Sequence, residues 1–408
     1  MNLDTTNHLE NVRKAAANLD GVLRTTDMIY SEFFSKETGN HIYIKPENLQ
    51  RTGSFKIRGA FNKVANLTEE ERAKGIIASS AGNHAQGVAL AASKMGIQAT
   101  IVMPQVTPLI KIDSTKSYGA NVVLHGNVYD EAYAKAVELA EANGYTFVHP
   151  YNDYDVMCGQ GTIALEILDE LEDIDQILVP VGGGGLISGI AMAAKAIKPT
   201  IQVIGVEPVG AASMTAALDA GHVVTLDKVQ TGAEGVAVKT VGDLALEVCS
   251  KYVDGIIQVT EEEIMEALLL LLERHKIICE AAGALPLAAI KKLNTRNKNI
   301  ACVVSGGNID MVTISSTINS GLVTRGRVLC FTVDLPDTPG QLLSIAQILS
   351  DHRANVIKLE HNQFVSINRN AAVELRITLE AFGTEHKNKI IETLETNGYK
   401  PRVVTTNI

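Results

Sequence analysis

Four short segments of this 408-residue chain combine residue types and spacings that could do chemistry. The first is Val179-Pro180-Val181-Gly182-Gly183-Gly184-Gly185-Leu186-Ile187-Ser188-Gly189. An apolar run that ends in four glycines and enters a helix is a ready anion cradle. Its bare backbone N–H groups and the helix dipole both favour negative charge. A dinucleotide fingerprint, G-x-G-x-x-G, fails here: counted from Gly182 its last glycine falls on Ile187, and from Gly183 on Ser188. A single phosphate monoester is therefore the better ligand, with a tight turn that binds nothing as the plainer alternative. The second segment, Ile77-Ala78-Ser79-Ser80-Ala81-Gly82-Asn83-His84, again runs from strand into helix. Its small residues admit a ligand to the backbone and Asn83 offers both a donor and an acceptor, although Ser and Asn also serve as ordinary helix caps. The third, Glu47 to Ala60, places Lys56 directly after Phe55 at a helix start, where a solitary lysine is usually solvated. The fourth, Cys302-Val303-Val304-Ser305-Gly306-Gly307-Asn308, ends an apolar run with a hydroxyl and two glycines.

The elements that must position these segments alternate. Strands are predicted at 75–78, 99–103, 121–124, 145–148, 176–181, 202–206, 256–259 and 300–304. Helices at 84–95, 108–118 and 129–143 are each closed by a glycine, Gly96, Gly119 and Gly144. Such alternation implies parallel sheets covered on both faces, with ligands at the carboxyl ends of the strands. Beyond Gly326 the pattern changes to strand 328–335, helix 341–352, strands 355–361 and 372–379, helix 385–397 and strand 402–405, the βαββαβ order of a ferredoxin-like sandwich. The length suits more than one domain. With 36 Lys+Arg against 46 Asp+Glu the net charge is −10, which argues against nucleic acid or an anionic membrane as partner. The longest purely apolar run, Ala267 to Leu272, is far too short to span a bilayer, and residues 1–20 lack the apolar core of a secretory signal. The five cysteines are scattered and never in CxxC spacing, as expected of small core residues in a reducing compartment. A cytoplasmic protein is expected.

A phosphate cradle, a lysine after an aromatic, an asparagine on a glycine loop and a late Ser-Gly-Gly-Asn are together the parts of a pyridoxal-phosphate site, in which a lysine forms a Schiff base and the ring is the electron sink. The chain resembles the fold-type II (tryptophan synthase β-like) pyridoxal-phosphate enzymes over about residues 15–320, and within them the threonine dehydratase family. The resemblance rests on Ser54-Phe55-Lys56-Ile57-Arg58-Gly59-Ala60, on Ser79-Ser80-Ala81-Gly82-Asn83-His84-Ala85-Gln86-Gly87 and on Gly182 to Leu186. It implies an α/β catalytic domain, 1–320, of two parallel-sheet subdomains, the smaller at about 45–150. It implies that Lys56 carries the cofactor and removes the Cα proton, that Phe55 packs beside the ring, and that Asn83 meets the ring's 3′ oxygen. Gly182, Gly183, Gly184, Gly185 and Leu186 would bind the phosphate, and Ser305 would face the pyridine nitrogen. Ser79, Ser80, Ala81, Gly82 and Asn83 would hold the substrate carboxylate. The implied reaction converts L-threonine to 2-oxobutanoate and ammonia, with L-serine to pyruvate as a side activity. Related serine racemases carry a serine where Ala81 stands, so racemisation should be minor. Their cation site would map to Glu207, Ala211 and Ser213; an acidic residue is missing at Ser213, so no divalent metal is expected, while a monovalent cation is compatible with the family. Glu234 and Glu280 match positions lining the pocket and are equally ordinary as solvated acids; His84 and His125 read as structural.

Residues 327–408 resemble the ACT family of amino-acid-binding regulatory domains, on Asp334-Leu335-Pro336-Asp337-Thr338-Pro339-Gly340-Gln341-Leu342 and Asp351-His352-Arg353-Ala354-Asn355-Val356. That resemblance implies an effector site at Asp337, Pro339, Gly340 and Asn355, isoleucine as effector, a first step of isoleucine biosynthesis and a homotetramer. The alternatives are a β-replacement synthase of the cysteine-synthase type and a non-catalytic amino-acid sensor. Against the first, such synthases ordinarily read Ser-Gly-Asn-Thr where Gly82-Asn83 is followed here by His84; against the second stand Lys56, Asn83 and Ser305.

Overall fold

The computed structural model describes residues 7–363 and 373–404. These fall into two compact units divided between Ile309 and Asp310. In the first, ten strands run in chain order: β1 (Ile29–Tyr30), β2 (His41–Lys45), β3 (Ile76–Ser79), β4 (Ala99–Met103), β5 (Asn121–Leu124), β6 (Thr146–Phe147), β7 (Gln176–Pro180), β8 (Gln202–Pro208), β9 (Gly255–Val259) and β10 (Asn299–Val303). They form a six-stranded sheet of order β1-β2-β10-β7-β8-β9 and a four-stranded sheet of order β5-β4-β3-β6. Every pairing in both is parallel except β1 with β2. The expected pair of parallel sheets is therefore present, with one antiparallel edge.

Both faces of the larger sheet are buried, as period-two alternation along β10 makes plain. Ala301 and Val303 join one apolar cluster with Val179 and Ile187, whereas Ile300 and Cys302 join another with Leu178 and Leu285. The smaller sheet rests on a third cluster around Ile76, Ala78 and Ile101. Glycine closes the covering helices where the sequence places it: Gly96 and Gly144 cap Asn83–Met95 and Tyr129–Asn143 in the left-handed region, at φ 67° and 69°. Strand β6 is shorter than 145–148 because the Tyr145 N–H is taken by Ala140 O, which finishes the preceding helix. Strands β1 and β2 were not anticipated. β2 lies far from β10 in sequence yet pairs with it from His41 to Lys45, which brings the lysine segment to the larger sheet. All five cysteines are buried and free, and no helix among the described residues is long and apolar enough to cross a membrane.

The second unit holds β11 (Val328–Leu335), helix Gln341–Asp351, β12 (Asn355–Gln363), β13 (Val373–Glu380), helix Thr384–Thr396 and β14 (Arg402–Val403). This is the βαββαβ order, closed as an antiparallel sheet β12-β13-β11-β14 over a core of Phe331, Ile345, Leu375, Ile377 and Ile390. Ala372 and Thr405, read as strand ends, lie outside the described residues.

Candidate active site

The chemistry-bearing loops leave the carboxyl ends of parallel strands: 46–55 follows β2, 80–82 follows β3, 148–151 follows β6, 181–184 follows β7 and 304–308 follows β10. Strands β2, β10 and β7 are neighbours in one sheet and β3 and β6 in the other, so their loops emerge together. Backbone hydrogen bonds then fasten the lysine loop to the serine loop. Phe55 N donates to Ser305 O at 3.1 Å, Gly307 N to Gly53 O at 2.8 Å and Asn48 N to Val304 O at 2.9 Å.

Lys56 is the first residue of helix Lys56–Ala65. Its amine donates to Pro150 O at 2.9 Å and sits 5.1 Å from the centroid of the Phe55 ring. Burial lowers its pKa to about 8, opposed by the charge of Glu280. At pH 7 roughly a tenth of it is therefore the neutral, nucleophilic amine, far more than for an ordinary lysine. Asn83 begins helix Asn83–Met95. Its Nδ2 donates to Glu280 Oε1 at 2.7 Å, and its Oδ1 accepts from Asn308 Nδ2 at 2.7 Å. Burial pushes the Glu280 carboxyl up to about 7, with the Asn83 bond pulling the other way.

The glycine loop is built for close approach. The N–H groups of Gly182, Gly183 and Gly184 meet no acceptor among the described residues, at the start of helix Gly185–Ile197. Gly184 has φ +93°, which favours glycine. A Cβ on Gly183 would lie 2.3 Å from the Tyr151 ring, and one on Gly182 would lie 2.8 Å from Val236 Cα. Alanine at Gly185, the first helical residue, would gain roughly 1 kcal/mol in helix propensity, but its Cβ would stand 2.8 Å from the Tyr151 backbone. Packing decides in favour of glycine. Leu186 is buried one residue into the helix. In the loop after β3, Ser79 Oγ is buried without a partner, Ser80 Oγ accepts from Gly82 N at 3.2 Å, and Ala81 and Gly82 are partly exposed. Ser305 is buried behind the lysine loop, and its hydroxyl makes no hydrogen bond among the described residues.

Other residues singled out in the sequence divide clearly. Glu280 joins the site. Glu234 does not: its side chain is 83% exposed and pairs with Lys111 at 3.2 Å. His84 is buried with Nε2 bonded to Val148 O, and burial drives its pKa down to about 3, so it stays neutral. Glu207 caps helix Ser213–Ala220 through Met214 N, Thr215 N and Thr215 Oγ1, close to a Ser213 hydroxyl that is buried without a partner. Sequence reasoning passed over Pro150 and Tyr151, which join the lysine to the glycine loop. The signal was available, since they follow a parallel strand like the other loops, but they carry no glycine to advertise it. In the second unit, Asp337 and Pro339 lie in the exposed turn after β11, Gly340 precedes helix Gln341–Asp351 at φ +95°, and Asn355 opens β12 with its amide on Glu380 at 2.9 Å.

A buried lysine at a helix start with a depressed pKa and a glycine cradle with free amides, on loops from two parallel sheets, define a class. The family model for pyridoxal-phosphate dependent enzymes matches residues 19–306, and the chain belongs to that family. Within it, the chain is 47% identical over 397 residues to an L-threonine ammonia-lyase of Thermotoga maritima, an alignment covering 97% of this chain and 99% of that one. A processed form of threonine deaminase isoform 2 from Solanum lycopersicum superposes with a TM-score of 0.72 at 41% identity, covering 76% of this chain and 92% of that one. Maize serine racemase superposes with a TM-score of 0.73 at 35% identity, covering 78% and 98%.

Alanine at Gly183 must displace the Tyr151 ring. Gly183→Ala should weaken binding of pyridoxal phosphate by about tenfold or more, the loss of at least one charge-assisted hydrogen bond. Equilibrium dialysis of the apoprotein measures this, and adding Tyr151→Ala should recover part of the loss.

Proposed function

We propose that this protein is a pyridoxal-phosphate-dependent L-threonine ammonia-lyase, releasing 2-oxobutanoate and ammonia and acting more slowly on L-serine. The observation that supports it is that Lys56, Asn83 and the free glycine amides stand on loops at the carboxyl ends of the strands, in a chain similar over nearly its whole length to such a lyase. The pocket suits the cofactor by its donor set: an amine of lowered pKa beside an aromatic ring, three unfilled amides at a helix start, and an unbonded serine hydroxyl. When bound, pyridoxal phosphate supplies an electron sink for charge that develops at Cα. Lys56 would hold it and then, as the neutral amine, take the Cα proton. The amides of Gly182 to Gly184 and the helix behind Leu186 would hold its phosphate. Asn83 would donate to the ring oxygen, with Phe55 packed beside the ring. Ser305 would offer a neutral hydroxyl to the ring nitrogen, leaving that nitrogen without the proton a carboxylate would impose. The loop Ser79, Ser80, Ala81 and Gly82, at the start of helix Asn83–Met95, would orient the substrate carboxylate. Ala81 has no proton to give from the opposite face, which favours elimination over racemisation.

For the second unit we propose an ACT-type regulatory domain, 327–408, which follows a catalytic domain 1–320 in the sequence, in a homotetramer. The βαββαβ order and the left-handed Gly340 before a helix support it. The proposed effector is isoleucine, at Asp337, Pro339, Gly340 and Asn355. Release of 2-oxobutanoate from L-threonine by the cofactor-loaded protein tests both parts. Formation suppressed by L-isoleucine is expected. Activity indifferent to isoleucine would remove the effector, and no 2-oxo acid from threonine or serine would remove the lyase.

The lowered lysine pKa gives a sign for pH. Uptake of pyridoxal phosphate by the apoprotein needs the neutral amine, so its rate should rise with pH through a midpoint of about 8 rather than at the ordinary lysine value. Glu280 favours the ammonium, and Glu280→Gln should move that midpoint lower. Stopped-flow absorbance over a pH series reads both.

A further inference from the structure

Asn308 ends the serine loop, and its side chain does more than close a turn. Its Nδ2 donates to Thr52 O at 2.7 Å and to Asn83 Oδ1 at 2.7 Å. A backbone carbonyl can only accept, so the nitrogen end of the Asn308 amide is fixed on that side. The second N–H of that nitrogen takes the oxygen end of Asn83. The nitrogen end of Asn83 is thereby turned the other way, where it donates to Glu280 Oε1. A free primary amide has two nearly isosteric orientations; here a chain of bonds anchored on the main chain selects one.

The backbone beneath is shaped for this contact. Thr52 and Gly53 are both left-handed, at φ 64° and 70°, a costly conformation for threonine. A Cβ on Gly53 would lie 2.4 Å from Asn308 Oδ1, so only glycine leaves room for that amide. Two consecutive left-handed residues therefore aim the Thr52 carbonyl at Asn308 and clear a seat for it.

We propose that Asn308 is a positioning residue that locks the Asn83 amide with its N–H side toward the ring oxygen of pyridoxal phosphate. The inference rests on the reading of Asn83 given above. A flipped Asn83 would present an oxygen to an oxygen, favouring the protonated ring hydroxyl and weakening the cofactor's hold.

The visible absorption of the cofactor-loaded protein reports the ionisation of the ring oxygen, and its pH titration tests the proposal without reference to turnover. Asn308→Asp cannot donate to Thr52 or Asn83, and its carboxylate should draw the Asn83 N–H groups to itself. Its titration should shift in the same direction as that of Asn83→Ala, with cofactor binding weakened by about tenfold. Asn308→Ala should give a smaller shift of the same sign while keeping the wild-type circular dichroism. A wild-type titration in both Asn308 variants, with Asn83→Ala shifted, would overturn the inference and leave the role of Asn83 standing. An unshifted Asn83→Ala would overturn the role of Asn83 itself. Loss of the folded state in both Asn308 variants would make Asn308 a loop tether and also overturn the proposal.

Discussion

Lys56→Ala should lower 2-oxobutanoate release from L-threonine by about 10⁴-fold or more, since in the proposed mechanism it removes both the covalent hold on the cofactor and the base at Cα. The purified variant should also lack the visible colour of the wild type. Lys56→Arg separates charge from nucleophilicity: a guanidinium stays protonated throughout the accessible pH range, so it should be as inactive as alanine. Stability should move the other way. Burial lowers the Lys56 pKa to about 8, so the folded pocket disfavours the ammonium relative to the unfolded chain. Stability lost to that group is recovered as pH rises from about 8 toward the unfolded lysine value. At pH 7 the apoprotein of Lys56→Ala should therefore unfold at a temperature equal to or above that of the wild-type apoprotein. An inactive variant that is also strongly destabilised would mean that Lys56 serves the fold.

The same feature shows what the sequence could and could not reveal. The alternation of short β-branched strands with glycine-closed helices was legible because it depends on local periods: β4, β5, β7 and the caps at Gly96 and Gly144 all follow from neighbours in the chain. The rule that ligands gather at the carboxyl ends of parallel strands singled out the segments after β3, β7 and β10, whereas the lysine segment follows a strand that was not predicted. Strand β2 was missed because its pairing partner β10 lies about 250 residues away, and nothing local demands it. The roles of individual acids were illegible for a similar reason. Glu234 and Glu280 look alike in the sequence, each beside small residues, yet one pairs with Lys111 in solvent and the other bonds Asn83. Asn308 stood in a recognisable motif, but its effect runs through Thr52 and Asn83, both more than 200 residues away. A bond across that separation follows from tertiary packing alone.

Arg58→Met should be the most destabilising single substitution near the site, by about 3–5 kcal/mol. The Arg58 side chain is fully buried, and all of its donors are used. Nε bonds Glu47 Oε2 at 2.7 Å, and Nη2 bonds Glu47 Oε1 and Glu166 Oε2, each at 2.8 Å. Nη1 bonds Thr162 at 3.0 Å and Glu166 Oε1 at 2.5 Å. Glu47 is itself fully buried, and without Arg58 it keeps only the Thr26 hydroxyl as a side-chain donor among the described residues. Glu166 retains Lys45 at 2.7 Å and is partly exposed, so the cost falls chiefly on Glu47. The penalty comes from stranding a carboxylate rather than from losing the pair, so the double variant Arg58→Met, Glu47→Leu should recover most of the loss. Arg58→Lys should remain destabilised, because a lysine has three donors where the cage asks for five. The effect should also reach the site. Arg58 stands two residues after Lys56 and ties that helix to Tyr154–Glu170 through Thr162 and Glu166. Urea unfolding of the four proteins measures the ledger, and cofactor affinity of the folded double variant shows whether the cage also sets the position of Lys56. A single variant as stable as wild type would mean that the cage contributes nothing to the fold.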